Sequence, residues 1–298
     1  MQLNFQSLSL TRQAEYRRIF DQTPQKTSDY SFLNIWAWRD IYQLQWAFDG
    51  NLVWIRQNDP RPLYWAPVGD WQEVDWPSRL KELQIQELEL IRVPEELSRI
   101  WEQSLKGRVH LQEDPEQWDY IYSVQELIEL KGNRFHRKKN LLRQFQRNYN
   151  YRYIVLDADQ VDKALTLQTE WCMWKDCEDS TTLEAENQAI LNTFQDWNKL
   201  DNILGAGIEV DGDMVAYTVA EPLDQETVVV HFEKGCPNHK GVYQAMNQMF
   251  LANSAKDFKF VNREQDLGDP GLRKAKESYH PQGYLKKLAG LVSSKEPH

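Results

Sequence analysis

Two Asp-Gly dipeptides constrain this chain more than any other feature. Asp49-Gly50 separates the apolar runs Leu44–Phe48 and Leu52–Ile55, and Asp211-Gly212 separates Ile203–Val210 from Met214–Ala220. A two-residue hairpin turn requires positive φ, which Gly adopts freely and Asp tolerates, so each dipeptide predicts a tight antiparallel hairpin. One hairpin falls in each half of a 298-residue chain. That length fits two domains of about 150 residues, each able to hide roughly two-thirds of its unfolded surface.

Hydrophobic periodicity fills in the rest. In the first half it predicts helices over Thr11–Phe20 and Ser28–Arg39, then the hairpin and a strand at Leu63–Ala66. A helix starting near Pro77, a strand at Leu88–Val93, a helix over Pro94–Lys106 and a strand at Arg108–Gln112 follow. The second half opens on a helix over residues 131–148 with an apolar stripe of Leu141, Leu142, Phe145 and Tyr149. A strand at Tyr151–Leu156, helices over Gln160–Lys175 and Leu183–Lys199, the second hairpin and a strand at Thr227–Glu233 come next. Val242, Ala245, Met246, Met249 and Phe250 recur at i, i+3, i+4, i+7 and i+8, an amphipathic helix. A strand at Phe258–Asn262 and a short helix over Gly271–Lys276 end the pattern. Three antiparallel strands, a helix, a strand and a helix are the core order of the acetyltransferase superfamily, and both halves approximate it. The expected fold is therefore α/β (α+β): two tandem acetyltransferase-like domains, 1–125 and 126–298, each a mixed, largely antiparallel sheet flanked by helices.

Charge placement narrows the function. The formal net charge is −10, yet Leu130–Leu156 holds no acidic residue and carries Lys131, Arg134, Arg137, Lys138, Lys139, Arg143, Arg147 and Arg152. A one-sided basic helix in an acidic chain suits RNA phosphates, and it suits anionic lipid headgroups equally. Phe135 and Tyr149 are placed either to stack on bases or to pack. No run is long and apolar enough to span a bilayer, and Met1–Phe20 has no secretory h-region. Three cysteines, Cys172, Cys177 and Cys236, are not spaced as a disulfide framework and point to a reducing, cytoplasmic setting, with helix packing the expected role of the first two. A peripheral place at the inner membrane face is compatible with the basic helix. The histidines, His110, His136, His231, His239, His280 and His298, show no zinc spacing, so no metal is expected.

Several segments carry a family resemblance in their order. They are Ser28-Asp29-Tyr30-Ser31-Phe32, Leu130-Lys131-Gly132, His231-Phe232-Glu233-Lys234, Gly241 to Asn247, Val261 to Gly268, and Gly271 to Lys276. Together they resemble a bacterial family grouped with the C-terminal catalytic domain of phosphatidylglycerol lysyltransferase. The resemblance implies tandem acetyltransferase-like domains and transfer of an aminoacyl group from aminoacyl-tRNA to a lipid or small-molecule acceptor, with no other cofactor. The full-length lysyltransferase carries a polytopic membrane domain that nothing in this sequence matches.

Three constellations hold the candidate site. At the junction from strand to helix, His231, Glu233 and Lys234 precede Gly241 and Tyr243. Alternation puts His231 and Glu233 on one face, where a carboxylate beside an imidazole suits a general base or, structurally, a strand-end salt bridge or hydrogen-bonded core histidine, and Lys234 on the other. A helix start of this kind binds anions, but Tyr243 would crowd the pyrophosphate of acyl-CoA, the donor of the alternative N-acyltransferase reading. Past the next strand come Asn262, Arg263, Glu264 and Asp266, then Arg273, Lys274, Lys276 and Tyr279. Arg263 and Arg273 suit a phosphate or carboxylate clamp, and Glu264 or Asp266 suits proton removal. A loop-capping network is the structural alternative for the same residues, and a ligand-binding module without catalysis is the third reading. The basic helix supplies the RNA- or anion-binding set: Lys131, Arg134, Arg137, Lys138 and Lys139.

Overall fold

The computed structural model describes residues 3–83 and 86–294. In chain order the elements are β1 (Gln6–Ser7), α1 (Gln13–Phe20), α2 (Phe32–Ala37), β2 (Gln45–Asp49), β3 (Leu52–Gln57), β4 (Leu63–Trp65), β5 (Val68–Gly69), α3 (Trp76–Glu82), β6 (Glu87–Pro94), α4 (Glu95–Ser104) and β7 (Val109–Glu113). The chain continues through β8 (Asp119–Ser123), α5 (Val124–Glu129), α6 (His136–Asn148), β9 (Tyr151–Val155), α7 (Ala158–Lys175), α8 (Thr181–Gln195), β10 (Leu204–Val210), β11 (Asp213–Pro222), β12 (Thr227–Gly235), α9 (Val242–Ser254), β13 (Phe260–Asn262), α10 (Pro270–Glu277), β14 (Gly283–Leu285) and β15 (Lys287–Ser293).

These elements form two compact units. Unit 1 takes the residues up to Asp119, Gln265–Gly268, and the chain from Tyr284 onward. Its sheet has the strand order β1-β2-β3-β4-β6-β15-β7, with β5 on β3. Its core is unusually rich in tryptophan. Trp46, Trp54, Trp65, Trp71, Trp76 and Trp101 are each essentially inaccessible, and Trp76 meets Trp101 edge to face at 5.3 Å. That geometry aligns the ring quadrupoles favourably, and these six account for half of the chain's 12 tryptophans. A buried ionic cluster also lies in unit 1. Lys287 donates to Asp29 and, at 2.7 Å, to Asp119. Arg92 lies 3.4 Å from Asp29, and Ser28 donates through its backbone N–H and its hydroxyl to Asp119, both at 2.8 Å.

Unit 2 takes Tyr120–Glu264 and Asp269–Gly283. Within it the strands run in the order β8-β13-β12-β11-β10-β9. The pairs β9–β10, β10–β11, β11–β12 and β13–β8 are antiparallel, and β12–β13 is parallel. Helix α9 buries the predicted stripe Val242, Ala245, Met246, Met249 and Phe250. Helix α6 buries Leu142 and Phe145.

Several expectations need correction. The helix expected over Ser28–Arg39 is a 3-10 turn at Ser28–Tyr30 followed by α2. Ser31 is extended and caps α2 by accepting from the N–H of Asn34. The first hairpin turns on Gly50-Asn51, because Asp49 still pairs with Leu52. The second turns on Asp211-Gly212 as predicted, with φ of 53° and 101°. Cys172 and Cys177 do not merely pack: they form a disulfide. Helix α7 ends at Asp176, which adopts a left-handed conformation, and the next turn brings Cys177 back over Cys172. Cys236 is free and buried.

Candidate active site

The site grows from a divergence of two parallel strands. β12 and β13 pair only from Thr227↔Phe260 to Val229↔Asn262. Beyond that point β12 runs on to Gly235, whereas β13 ends and the chain turns away. Two ion pairs bridge the gap. Glu233 accepts from Arg263 at 3.1 Å, and His231 meets Glu264 at 2.7 Å.

His231 departs from the simple alternation expected of a strand. In the β11–β12 ladder Val219 pairs with Phe232 and Ala220 with Val230, so His231 is the extra residue of a bulge. It is freed to bridge two carboxylates, with Nδ1 to Glu264 and Nε2 to Glu221 at 3.1 Å. Burial alone would depress the imidazole pKa, but the hydrogen bonds that the ring donates to Glu221 and Glu264 outweigh it and raise the pKa to about 9. His231 is therefore an imidazolium at neutral pH. Glu221, almost fully buried, is a partner that sequence reasoning missed, because a carboxylate in an Ala-Glu-Pro strand end carries no periodic signal.

Glu233 and Lys234 point to opposite faces, as alternation requires. Burial raises the Glu233 pKa above the usual carboxylate range. Arg263, the Asn247 amide, Lys276 and Lys138 each pull it back. A carboxyl whose pKa is raised in this way suits the acceptance of a proton. Arg263 is also buried, but its pairing with Glu233 keeps it charged. Its guanidinium lies 5.0 Å from the ring centre of Tyr279. Tyr279 is held by Gln244, which donates to its hydroxyl at 3.4 Å, and burial raises its pKa. On the other face Lys234 donates to Glu186 at 2.7 Å and lies 3.9 Å over the Trp171 ring. Trp171 in turn donates to the Tyr243 hydroxyl at 3.1 Å.

The loop after β13 is braced as the structural alternative foresaw. Asn262, fully buried, accepts from the N–H of Glu264 at 2.8 Å. The Lys276 ammonium donates to the carbonyls of Arg263 and Glu264. Glu264 itself has a φ of 56°. Asp266 groups with unit 1, where it accepts from the N–H of Gly268 at 2.9 Å. Arg273 is half-buried and Lys274 exposed, both on α10. Gly241 caps α9 at a φ of 87°, and a Cβ there would lie 2.2 Å from the carbonyl oxygen of Leu141 in α6. The glycine is thus required both by its conformation and by the close approach of a neighbouring helix.

The basic helix sorts into three groups. Lys131 pairs with Glu129 at 2.8 Å and Arg134 with Glu126 at 2.5 Å. Arg137, Arg143 and Arg147 are exposed and Lys139 half-buried. Lys138 turns inward, with its ammonium 3.9 Å from the Tyr279 ring centre. Phe135 is buried against His280, and Tyr149 packs on Phe145 and His239, so both rings are used internally. Among the described residues no group of three or more His, Cys, Asp or Glu side chains could hold a metal ion. His298 lies outside the described residues. Among those residues, too, no helix is long and apolar enough to cross a membrane.

The sequence profile of the family described as phosphatidylglycerol lysyltransferase, C-terminal, matches residues 20–288. The chain belongs to this family. No curated protein sequence matches it significantly. Among solved structures, a conserved protein of unknown function from Bacteroides thetaiotaomicron is similar at 28% identity. It superimposes with a TM-score of 0.89 over 98% of this chain and 100% of its own. The C-terminal domain of a putative lysylphosphatidylglycerol synthetase from Agrobacterium fabrum is similar at 11% identity and a TM-score of 0.64, covering 97% of this chain and 93% of its own. L-PGS from Bacillus licheniformis is similar at 11% identity and 0.62, over 95% and 92%. These two share the fold, which is the tandem acetyltransferase-like fold expected from the sequence.

Proposed function

We propose that unit 2 is an aminoacyltransferase, moving an aminoacyl group from the terminal ribose ester of aminoacyl-tRNA to a hydroxyl or amine of a lipid or small-molecule acceptor. The observation that carries this reading is Glu233, a largely buried carboxyl with a raised pKa, beside a charged and largely buried Arg263. In the step, the acceptor oxygen or nitrogen attacks the ester carbonyl and gives its proton to Glu233. Arg263 stabilises the oxyanion as the C–O bond to the ribose breaks, and the ribose oxygen leaves with a proton. Arg137, Lys139, Arg143 and Arg147, on one helix, suit the phosphates of the donor RNA. The family supports the reaction class. Anionic lipid headgroups at the same basic helix fit a peripheral encounter with a membrane.

The acyl-CoA reading gains nothing from this geometry. The start of α9 is filled by the Leu141 carbonyl against Gly241 and by Tyr243, which is tied to Trp171. The divergence between β12 and β13 is bridged by the two ion pairs.

The test uses aminoacyl-tRNA labelled in its amino acid, with phosphatidylglycerol vesicles in one arm and small amines in the other. Label should appear in one acceptor, and Glu233→Gln should lower the rate by roughly 10²–10⁴ without unfolding the protein. Release of label no faster than spontaneous hydrolysis in every arm would overturn the proposal.

A further inference from the structure

We propose that the disulfide between Cys172 and Cys177 is a reversible redox switch. A dithiol entering the cleft beside it opens the bond, and opening releases the clasp that α7 and α8 hold on Lys234. The inference goes beyond the transferase reading and does not depend on it.

The clasp is a closed circuit within unit 2. Trp171, the residue before Cys172, lies under the Lys234 ammonium at 3.9 Å and donates through its indole N–H to the Tyr243 hydroxyl at 3.1 Å. Glu186, on α8, accepts from the same ammonium at 2.7 Å. Lys234 is thus gripped by both helices, and it is only 5% exposed. The joint between the helices is short. Asp176 ends α7 in a left-handed conformation, Cys177–Asp179 form one 3-10 turn, and Ser180 caps α8 by accepting from the N–H of Leu183. The disulfide crosses this joint, with Cα atoms 5.0 Å apart, and so fixes the hinge on which both arms of the clasp turn. A second tie needs no covalent bond. Gln168 donates to Asn187 on α8 at 3.0 Å and accepts from the Tyr217 hydroxyl on β11 at 2.6 Å. That tie holds the helix pair to the sheet when the joint loosens.

Access and loop size both favour a bond that is made and broken in the folded protein. Cys177 is buried, but Cys172 is half-buried. Both line a cleft of about 610 Å³ with Met173, Glu184 and Asn187, which is room for a small thiol. A disulfide that closes so short a loop constrains the unfolded chain little, so the fold does not hang on it. Reachable disulfides are the exchangeable ones. A thiolate of the dithiol attacks the Cys172 sulfur in line with the S–S bond. That bond breaks, and Cys177 leaves as a thiolate and takes up a proton. The second thiolate of the reagent then attacks the reagent's own sulfur in the mixed disulfide. It closes a cyclic disulfide and frees Cys172, which is protonated in turn. The protein gains two electrons and two protons, and the dithiol loses the same.

The experiment equilibrates the whole protein with mixtures of reduced and oxidised dithiothreitol, approached from both sides. Acid quench and peptide mass spectrometry read the fraction of Cys172 joined to Cys177. The joined fraction should fall smoothly as the reduced reagent increases and should be the same from either side, with the far-ultraviolet circular dichroism of the folded protein unchanged. At each end of the series the reagent is removed under argon, and amines are labelled briefly with an anhydride. Labelling of Lys234 should rise at least about tenfold on reduction, equivalent to about 1.4 kcal/mol in the free energy of exposing the amine. The exposed Lys256 should label equally in both states. Cys177→Ser should show the fast labelling of Lys234 at every mixture. If that variant fails to fold, the unaltered protein still decides. A bond that stays closed in the folded protein at every mixture, or that does not re-form, overturns the switch. Equal labelling of Lys234 in the joined and open states overturns the clasp and with it the proposal. None of these readouts involves transfer, so a failure of the transferase reading leaves them untouched.

Discussion

A single histidine shows how local context overrides residue type. His231 reads in the sequence either as a general base beside a carboxylate or as a strand-end salt bridge or hydrogen-bonded core histidine. The bulge that releases it from the ladder places it between Glu221 and Glu264, and it becomes a fixed cation. The linkage has a definite sign. Its pKa is about 9 in the folded protein against about 6.5 unfolded. The resulting stabilisation is complete below about pH 6.5 and is lost as the pH rises through 9. His231→Gln should remove a pH-dependent contribution of roughly 2–3 kcal/mol, so urea midpoints that fall between these limits in the parent should flatten in the variant. An unchanged slope would mean that the imidazole is neutral. Lys138 works in the opposite direction. Its depressed pKa makes the folded state gain stability as the pH climbs from about 8 towards 10.5, so the two groups must be separated by mutation. His231, Glu233, Arg263 and Glu264 were all legible as polar residues at strand ends. Which acid meets which base was not, because a one-residue bulge resets every later contact and leaves no mark on composition.

At the level of elements, regular patterns were readable and irregular ones were not. The stripe of α9 and the Asp211-Gly212 turn follow from a period and from a dipeptide with one low-energy conformation. β8 escaped, although Tyr120, Ile121 and Tyr122 are good strand formers, because only five residues separate the end of β7 from its start and no turn dipeptide announces it. β15 escaped for another reason. Its register shifts between Leu288 and Gly290, and a glycine inside a short apolar run weakens the strand signal. By charge Lys138 belongs with the other RNA- or anion-binding cations of the basic run, yet it turns inward towards the Tyr279 ring. Its spacing to Leu142 and Phe145 held the better clue. Gly241 offers a sharp test of how α6 and α9 approach. Gly241→Ala places a Cβ against the Leu141 carbonyl at positive φ, and the combined strain should cost more than about 2 kcal/mol. Thermal unfolding would read it as a fall of several degrees. A near-neutral result would show that α6 is free to retreat.

For the whole molecule, the division into halves suggested by length is too simple. Unit 1 is discontinuous: the chain leaves it after Asp119, touches it again at Gln265–Gly268 and returns for good at Tyr284. The returning strand β15 lies between β6 and β7 and is antiparallel to both. Its first residue, Lys287, neutralises Asp29 and Asp119, so residues far apart in sequence share one buried charge cluster. Lys287→Met would leave Asp29 with Arg92 and Asp119 with the Ser28 donors but without this shared buried ammonium, and a loss of about 3–5 kcal/mol is expected by urea unfolding. A loss below about 1 kcal/mol would show that one of the acids is already protonated. The placement of β15 has a consequence for the order of events on the ribosome. Domains usually fold in the order they emerge, yet here the unit that begins first is completed last. Unit 2 is fully translated before the strand that joins β6 to β7 has been made. Until then β6 and β7 lack the strand that each pairs with in the finished sheet.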